Sequence, residues 1–392
     1  MSVSWQPGSI WQSGVQRYGG ESLGETPRIV VLGSCKLGNY VKTTPLLRGL
    51  KQRWPAATVD FLGSSLTADF ETHCPWIDWR LSWDDPAPDA GLQLQQALVA
   101  RTAAVGGVDL AINLDGFNPV TQALASWLRP RFVAGGCLTP NLRRELPWGV
   151  LPQQRFLADP DWDSDAFLER YAGVFSSNYI SELFCRLAFV DTDFEAIELP
   201  AADPGFPVPD VLIHCTTARA AKVWPFAHWR EVVEACDARG IRVGLVGSPP
   251  AAQQADYHSD GGEEALLAST GLIDLRGRTS LMQLAGACRQ AAAVVSVDAG
   301  PMHIAAAVGT PTLAIVGNDA AGVGASPIRL WLPRVAVLQR TVSRESCSAC
   351  ADNRYRNDGC LLEGHPCMAG VEPQQVIAWL AAQPALQERW GS

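Results

Sequence analysis

An alternation, stated twice, most constrains what this chain can fold into. Short apolar runs without polar alternation, "RIVVLG" (Arg28–Gly33), "TVDFLG" (Thr58–Gly63) and "VDLAINLD" (Val108–Asp115), are separated by helix-forming stretches such as "YVKTTPLLRGLKQRWP". The second half repeats the pattern. "DVLIHC" (Asp210–Cys215), "IRVGLVG", "AVVSV" and "PTLAIVG" are spaced by "FAHWREVVEACDARG", "TSLMQLAGACRQA" and "GPMHIAAAVG". Runs apolar on both faces belong to parallel strands buried between helices. Gly240 suits the end of one helix, and Thr279 or Ser280 the start of another. The reading is α/β, with two Rossmann-like halves. They join within 190–210, where "ELPAADPGFPVPD" is rich in proline and acidic residues.

A length of 392 residues suits two domains. With 47% hydrophobic residues and 14 Trp, both can bury large cores. The formal net charge of −9 argues against nucleic acid as a partner, because that affinity comes largely from neutralising phosphates. The opening "MSVSWQPGSIWQSGVQRYGG" has neither the basic start nor the apolar core of a secretory signal. No apolar run reaches membrane-spanning length. A cytoplasmic protein is the expectation, with an oligomer left open.

"VVSVDAGPMHIAAAVGTPTLAIVG" (Val294–Gly317) places Asp298, Gly300 and His303 inside an apolar run. A strand ending at Asp298 and a helix beginning near Gly300 account for this. Pro301 fits the first helical turn, where its missing N–H has no partner to lose. Ala299 and Gly300 leave room for close approach, and the first-turn amides of Gly300, Met302 and His303 favour an anion. The alternative is that Asp298 only caps the helix and His303 only packs. A second loop, "HCTTARAAKVWP" (His214–Pro225), leaves the same sheet edge. Lys222 can meet a phosphate as a point charge, and Thr216 or Thr217 can donate to its oxygens.

On these residues the sequence resembles glycosyltransferase family 9, the bacterial heptosyltransferases. The family's D-[ST]-G-x-x-H-x-A-A-A-x-G-x-P-T is similar to "DAGPMHIAAAVGTPT" (Asp298–Thr312). Its phosphate loop resembles Thr216, Thr217, Lys222, Trp224 and Pro225, and its second-helix lead resembles "GRTSL" (Gly277–Leu281). Its N-terminal G-D-x(3)-T-x-P resembles "GNYVKTTPLLRGL". The resemblance spans residues 28–375 and implies a GT-B fold, with two Rossmann-like domains facing each other across a cleft. Residues 1–27 are then an extension, 28–195 the acceptor domain, and 205–375 the nucleotide-sugar domain with a Cys-rich loop at 344–368. A C-terminal helix or tail occupies 376–392.

The resemblance implies an inverting transfer from a nucleotide sugar, in many members ADP-heptose. The leaving diphosphate would be stabilised by Lys222 and by backbone amides. No Asp-x-Asp motif of the usual metal-dependent sugar-transferase kind is evident, so no catalytic metal is expected. Lys36, before Gly38, is a candidate to add charge to the donor site, against the reading of a solvated turn residue. Two positions depart from the pattern. Ala299 lacks the family's hydroxyl. Asn39 stands where the family carries the aspartate that implies a base, and an amide has no useful basicity. Asp115, in "NLDGFNP" just past a strand end, is the substitute candidate; the competing reading is an Asx turn before Gly116.

Eleven cysteines are present. Seven lie in apolar segments as buried thiols. Cys347, Cys350, Cys360 and Cys367 have the spacing C-x2-C-x9-C-x6-C in a polar loop, with His365 as an alternative ligand. This set admits a structural Fe or Zn, against free thiols or one disulfide. Family relatives with a structural iron there point the same way.

The expected partners are a nucleotide-sugar donor and an acceptor that is a protein hydroxyl, a saccharide or a small molecule. The segment Arg143–Phe175 is acidic and aromatic, which disfavours a heavily phosphorylated acceptor. Two other readings stay open. One is a catalytically silent GT-B protein that binds nucleotide sugar or acts as a scaffold, motivated by Asn39. The other is an epimerase of similar architecture.

Overall fold

The computed structural model describes residues 14–159, 161, 164–259, 261–319, 328–344, 347–353 and 357–391. Residues 1–13 of the N-terminal extension and parts of the Cys-rich loop lie outside the described residues. The chain divides into one unit of Met1–Trp162 with Phe167–Phe194, and another of Asp163–Ala166 with Glu195–Ser392.

The first unit holds β1 (Gln16–Arg17), β2 (Arg28–Leu32), β3 (Thr58–Gly63), β4 (Trp79–Ser82), β5 (Leu110–Asn113) and β6 (Phe132–Gly135). They form one sheet in the order β1-β6-β5-β2-β3-β4, and every pairing is parallel. The alternation in the sequence has its cause here. All residues of β2, β5 and β6 are buried, so neither face tolerates a polar side chain without a partner. The extension, read as a loop or add-on, supplies the edge strand β1 against Phe132 and Val133. The one charge in β3, Asp60, is fully buried. It accepts from Arg28 Nε at 3.0 Å and Arg101 Nη2 at 2.8 Å, the pairing that a buried carboxylate requires.

The second unit holds β7 (Val211–His214), β8 (Val243–Leu245), β9 (Ile273–Asp274), β10 (Ala293–Val297), β11 (Thr312–Gly317) and β12 (Leu338–Val342). Their order is β12-β11-β10-β7-β8-β9, again all parallel. The helix at Leu281–Gln290 starts at Ser280, whose Oγ accepts from Gln283 N at 3.3 Å while Gln283 Oε1 accepts from Ser280 N. Trp224 and Trp229 are fully buried, and Trp224 Nε1 donates to Val371 O at 2.9 Å. The C-terminal stretch packs on this unit. Its helix Pro373–Ala381 lies against helix Phe226–Asp237, and Arg389 grips Asp210 with two bonds of 2.8 and 2.9 Å. That grip holds the Asp210 carboxyl below its usual range.

Each sheet reverses its strand order once. In the first unit the chain runs outward through β2, β3 and β4, then returns to place β5 on the other side of β2. In the second, β7, β8 and β9 run one way and β10 lands on the other side of β7. Loops leaving the carboxyl ends of two strands at such a reversal diverge to opposite faces and open a crevice between them, which is where open α/β sheets bind ligands.

Candidate functional site

In the second unit the two loops at the reversal are the two singled out in the sequence. β7 ends at His214 and leads through Thr216 and Thr217 to a 3-10 turn, Ala220–Lys222. β10 ends at Val297, and Asp298 and Ala299 lead into helix Gly300–Ala307. Lys222 Nζ donates to Asp298 Oδ2, so the two loops are joined by an ion pair. His303 Nε2 stands 3.9 Å from the other carboxylate oxygen. Burial alone would push the Asp298 carboxyl up, but Lys222, His303 and Arg219 together pull it below the usual range. The Asp298 carboxylate is therefore kept charged at this point.

Asp298 does not cap the helix. The cap residue is Ala299, in extended conformation, and its side chain makes no capping hydrogen bond. Pro301 occupies the first turn, as its fixed φ allows. Pro301, Met302 and His303 are buried on their side-chain side, which holds this end rigidly against the sheet. A cavity of about 70 Å³ opens beside the ion pair, lined by Arg219, Lys222, Asp298, Asn318, Asn357, His365 and three of the cysteines.

The two threonines differ from the expectation of free phosphate donors. Thr216 is fully buried, and its Oγ accepts from Gln253 Nε2 at 2.5 Å. Gln253 in turn leans on Glu263, which Arg276 holds at 3.0 Å. Thr217 is nearly buried, and its carbonyl accepts from His258 N at 3.0 Å. Both fix the root of the loop, and its tip carries the charge. Arg219, Asn318 and Asn357 were not anticipated. Asn318 had a legible signal, as a polar residue just past the carboxyl end of β11, beside β10.

In the first unit the reversal gathers Lys36, Gly38, Asn39 and Asp115. Lys36 caps helix Leu37–Arg53 after β2, with Gly38 and Asn39 in its first turn, and Asp115 follows β5. Asn39 Nδ2 donates to Ser34 Oγ at 2.6 Å, which closes the loop on itself. The Asx turn belongs to Asn113, whose Oδ1 accepts from Asp115 N at 3.1 Å. The Asp115 carboxyl accepts from Asn118 Nδ2 at 3.0 Å. Burial raises its pKa, against the opposing pull of Asn118 and Lys36. Asp84 lies within reach of the same loop through Cys35. Burial raises it too, but bonds from Ser64, Ser65 and Cys35 outweigh this and hold it low. Asp115 is thus the more basic of the two. Gly135 fits closely against Asn113: its φ is +89°, and an added Cβ would stand 2.2 Å from Asn113 O.

Three phenylalanines of the Arg143–Phe175 segment belong to the core. Phe156, Phe167 and Phe175 are buried and pack edge-on or tilted against one another at 5.0–6.0 Å. They are core, and carry no information about an acceptor.

No disulfide joins the eleven cysteines; of the seven in apolar segments six are buried, and Cys35, in the turn after β2, is half-buried instead. Cys347, Cys350, Cys360 and Cys367 are half-buried, and the Cys367 thiol is pushed up to about 11, by burial first and then by Cys360, Cys347 and Cys350. The other three are thus in electrostatic reach of Cys367. Among the described residues, no three His, Cys, Asp or Glu side chains gather as metal ligands would. His365 Nε2 bonds to Ala221 O at 3.0 Å. No helix among the described residues is long and apolar enough to cross a membrane.

Comparison with known proteins agrees with the loop geometry. Residues 163–352 match the sequence profile described as Glycosyltransferase family 9 (heptosyltransferase). The chain carries a glycosyltransferase family 9 domain. The match covers Lys222 and the Asp298 junction, whereas Asn39 and Asp115 lie outside it. The chain is 32% identical to lipopolysaccharide heptosyltransferase 1 of Pseudomonas aeruginosa over 200 residues, 49% of this chain and 52% of that protein. Against the Salmonella typhimurium counterpart it spans 33% of the relative's length. A solved glycosyl transferase family 9 structure from Veillonella parvula superposes with a TM-score of 0.65 at 17% identity, covering 94% of this chain and 99% of that one. The dodecameric iron-containing heptosyltransferase TibC of enterotoxigenic E. coli, in complex with ADP-D-beta-D-heptose, gives 0.56 at 15%, covering 94% and 80%. At these identities the superpositions establish the fold: two parallel-sheet α/β domains of the heptosyltransferase type.

Proposed function

We propose that this protein is an inverting glycosyltransferase that moves a sugar, a heptose carried by ADP, onto an acceptor hydroxyl. The observation that carries the reading is the joining of Lys222 and Asp298 at the uncapped start of helix Gly300–Ala307, at the strand-order reversal of the family 9 domain. The diphosphate lies against the first-turn amides and draws Lys222 toward its oxygens. The acceptor oxygen attacks the anomeric carbon from the face opposite the diphosphate, and Asp115 takes its proton. The bond to the diphosphate breaks with its electron pair, and the charge that develops is met by Lys222 and by dipoles already in place. ADP as the nucleotide is favoured by the ADP-heptose complex of TibC, a protein of the same fold.

Asn39 favours a second reading, in which the protein binds nucleotide sugar without turnover. Its amide is bonded to Ser34 and supplies no base. A thermal-shift panel of ADP-, GDP-, UDP- and TDP-sugars tests the first claim: a ligand at a hundred times its Kd adds about 2.7 kcal/mol of stability. ADP-heptose is expected to give the largest shift, and no shift with any nucleotide would defeat both readings. Release of ADP in the presence of an acceptor separates transfer from silent binding.

The four clustered thiols suit a soft cation such as iron or zinc as a structural cross-link of the polar loop. As ligands they would have to close further than they stand here, and four thiolates would leave no position for a reacting group. Elemental analysis of the purified protein is expected to find one Fe or Zn per chain, and a Cys360→Ser variant to lose it. Metal-free wild-type protein of full stability would remove this assignment.

A further inference from the structure

The loop that carries Lys222 is held by the Cys-rich segment through the residue just before it. Ala221 N donates to Asp358 O at 2.7 Å, and Ala221 O is bonded by His365 Nε2 at 3.0 Å. Arg219 adds two bonds to Asn357 O, at 3.1 and 2.7 Å. Both main-chain groups of Ala221 are thus tied to a segment more than a hundred residues away. A carbonyl only accepts, so Nε2 carries the hydrogen.

The clamp has a firm base. His365 has the left-handed φ of 49° and precedes the short helix Pro366–Ala369, whose Met368 and Ala369 amides donate to its carbonyl. Met368 is 1% exposed and packs in the core beside Gly317, at the end of β11. Asn318, the next residue, donates to Cys347 O at 2.5 Å. The Cys-rich segment therefore spans from the end of β11 to the phosphate loop. The 3-10 turn Ala220–Lys222 is short and has no buried side chain of its own. Its position is set by these bonds and by Trp224 behind it.

We infer that His365 is a positioning residue for donor binding: by fixing the Ala221 carbonyl it aims the Lys222 ammonium at the Asp298 junction where the diphosphate binds. This rests on the reading of that junction as the donor site. His365 acts through Ala221, whose carbonyl it bonds, and so through Lys222.

The test compares three folded variants of the full chain, purified with its own metal content, by calorimetric titration with ADP and by steady-state kinetics. His365→Ala and His365→Asn are expected to weaken ADP binding and lower kcat/KM for the donor about tenfold, with the acceptor KM little changed. His365→Gln, one methylene longer than Asn, reaches the same carbonyl and is expected to recover most of the affinity. Equal ADP affinity in the Asn and Gln variants, or wild-type affinity in His365→Ala, overturns the inference. The Asn and Gln pair decides it even if the alanine variant fails to fold. Wild-type protein that binds no ADP at all overturns the donor-site reading instead, before any variant is made.

Discussion

Replacing Lys222 with alanine is expected to lower kcat/KM for the nucleotide sugar about a hundredfold to a thousandfold, the range seen when one preorganised partner of a developing charge is removed. Two losses combine. The leaving diphosphate loses a cation, and Asp298, now without its ammonium, turns a repulsive carboxylate toward the same place. Asp298 is held below its usual pKa chiefly against burial, by Lys222 before His303 and Arg219. Without Lys222 that carboxyl is expected to titrate higher, and ADP affinity to improve as the pH falls and it takes a proton. Titrations of the variant with ADP at several pH values read this directly. An alanine variant with unchanged kcat/KM would show that the ion pair is a structural clasp. An affinity independent of pH would show that Asp298 does not face the phosphates.

The second large effect is expected at Asp115. Asp115→Asn keeps the shape of the side chain and removes its basicity, so transfer should fall about 10²–10⁴-fold while ADP binding is preserved. The pH dependence carries the same signature. A base works deprotonated, and burial raises the Asp115 pKa above the ordinary aspartate value of about 3.9. Activity in the wild type is therefore expected to fall on the acid side at a pH above that value, as Asp115 takes up its proton. The residual activity of the Asn variant should lack this limb. If Asp84→Asn, and not Asp115→Asn, abolishes transfer, the base assignment moves to Asp84. That outcome would be surprising, because three bonds hold Asp84 in its ionised form and lower its basicity.

The parallel sheets and the donor loops were legible for a simple reason. Strands buried on both faces must be apolar throughout, so β2, β7 and β10 stand out, and a polar residue just past such a strand has no structural need to be there. Asp298 was found this way, Lys222 as the cation of the loop that follows β7, and Asn318 could have been found like Asp298. Bonds made between distant segments were not legible. That His365 reaches Ala221, or that Thr216 is held by Gln253 and, behind it, Glu263 and Arg276, depends on how helices and loops stack, which no local pattern encodes. That Phe156, Phe167 and Phe175 pack edge-on or tilted against one another was not legible either, because packing and display of the same residues to a ligand read identically in sequence. Asn39 and Asp115 are intermediate. Their place at the reversal between β2 and β5 follows from strand order, but the preference for Asp115 over Asp84 comes from the bonds around each carboxyl.

The account stands on one placement, that of the diphosphate. A crystal structure of the protein with ADP tests it most directly. The β-phosphate is expected within hydrogen-bonding distance of the Gly300 and Met302 or His303 amides, with Lys222 Nζ shifted from Asp298 onto its oxygens. A diphosphate bound elsewhere, or one bound at this helix start with Lys222 still turned away from it, would contradict the account.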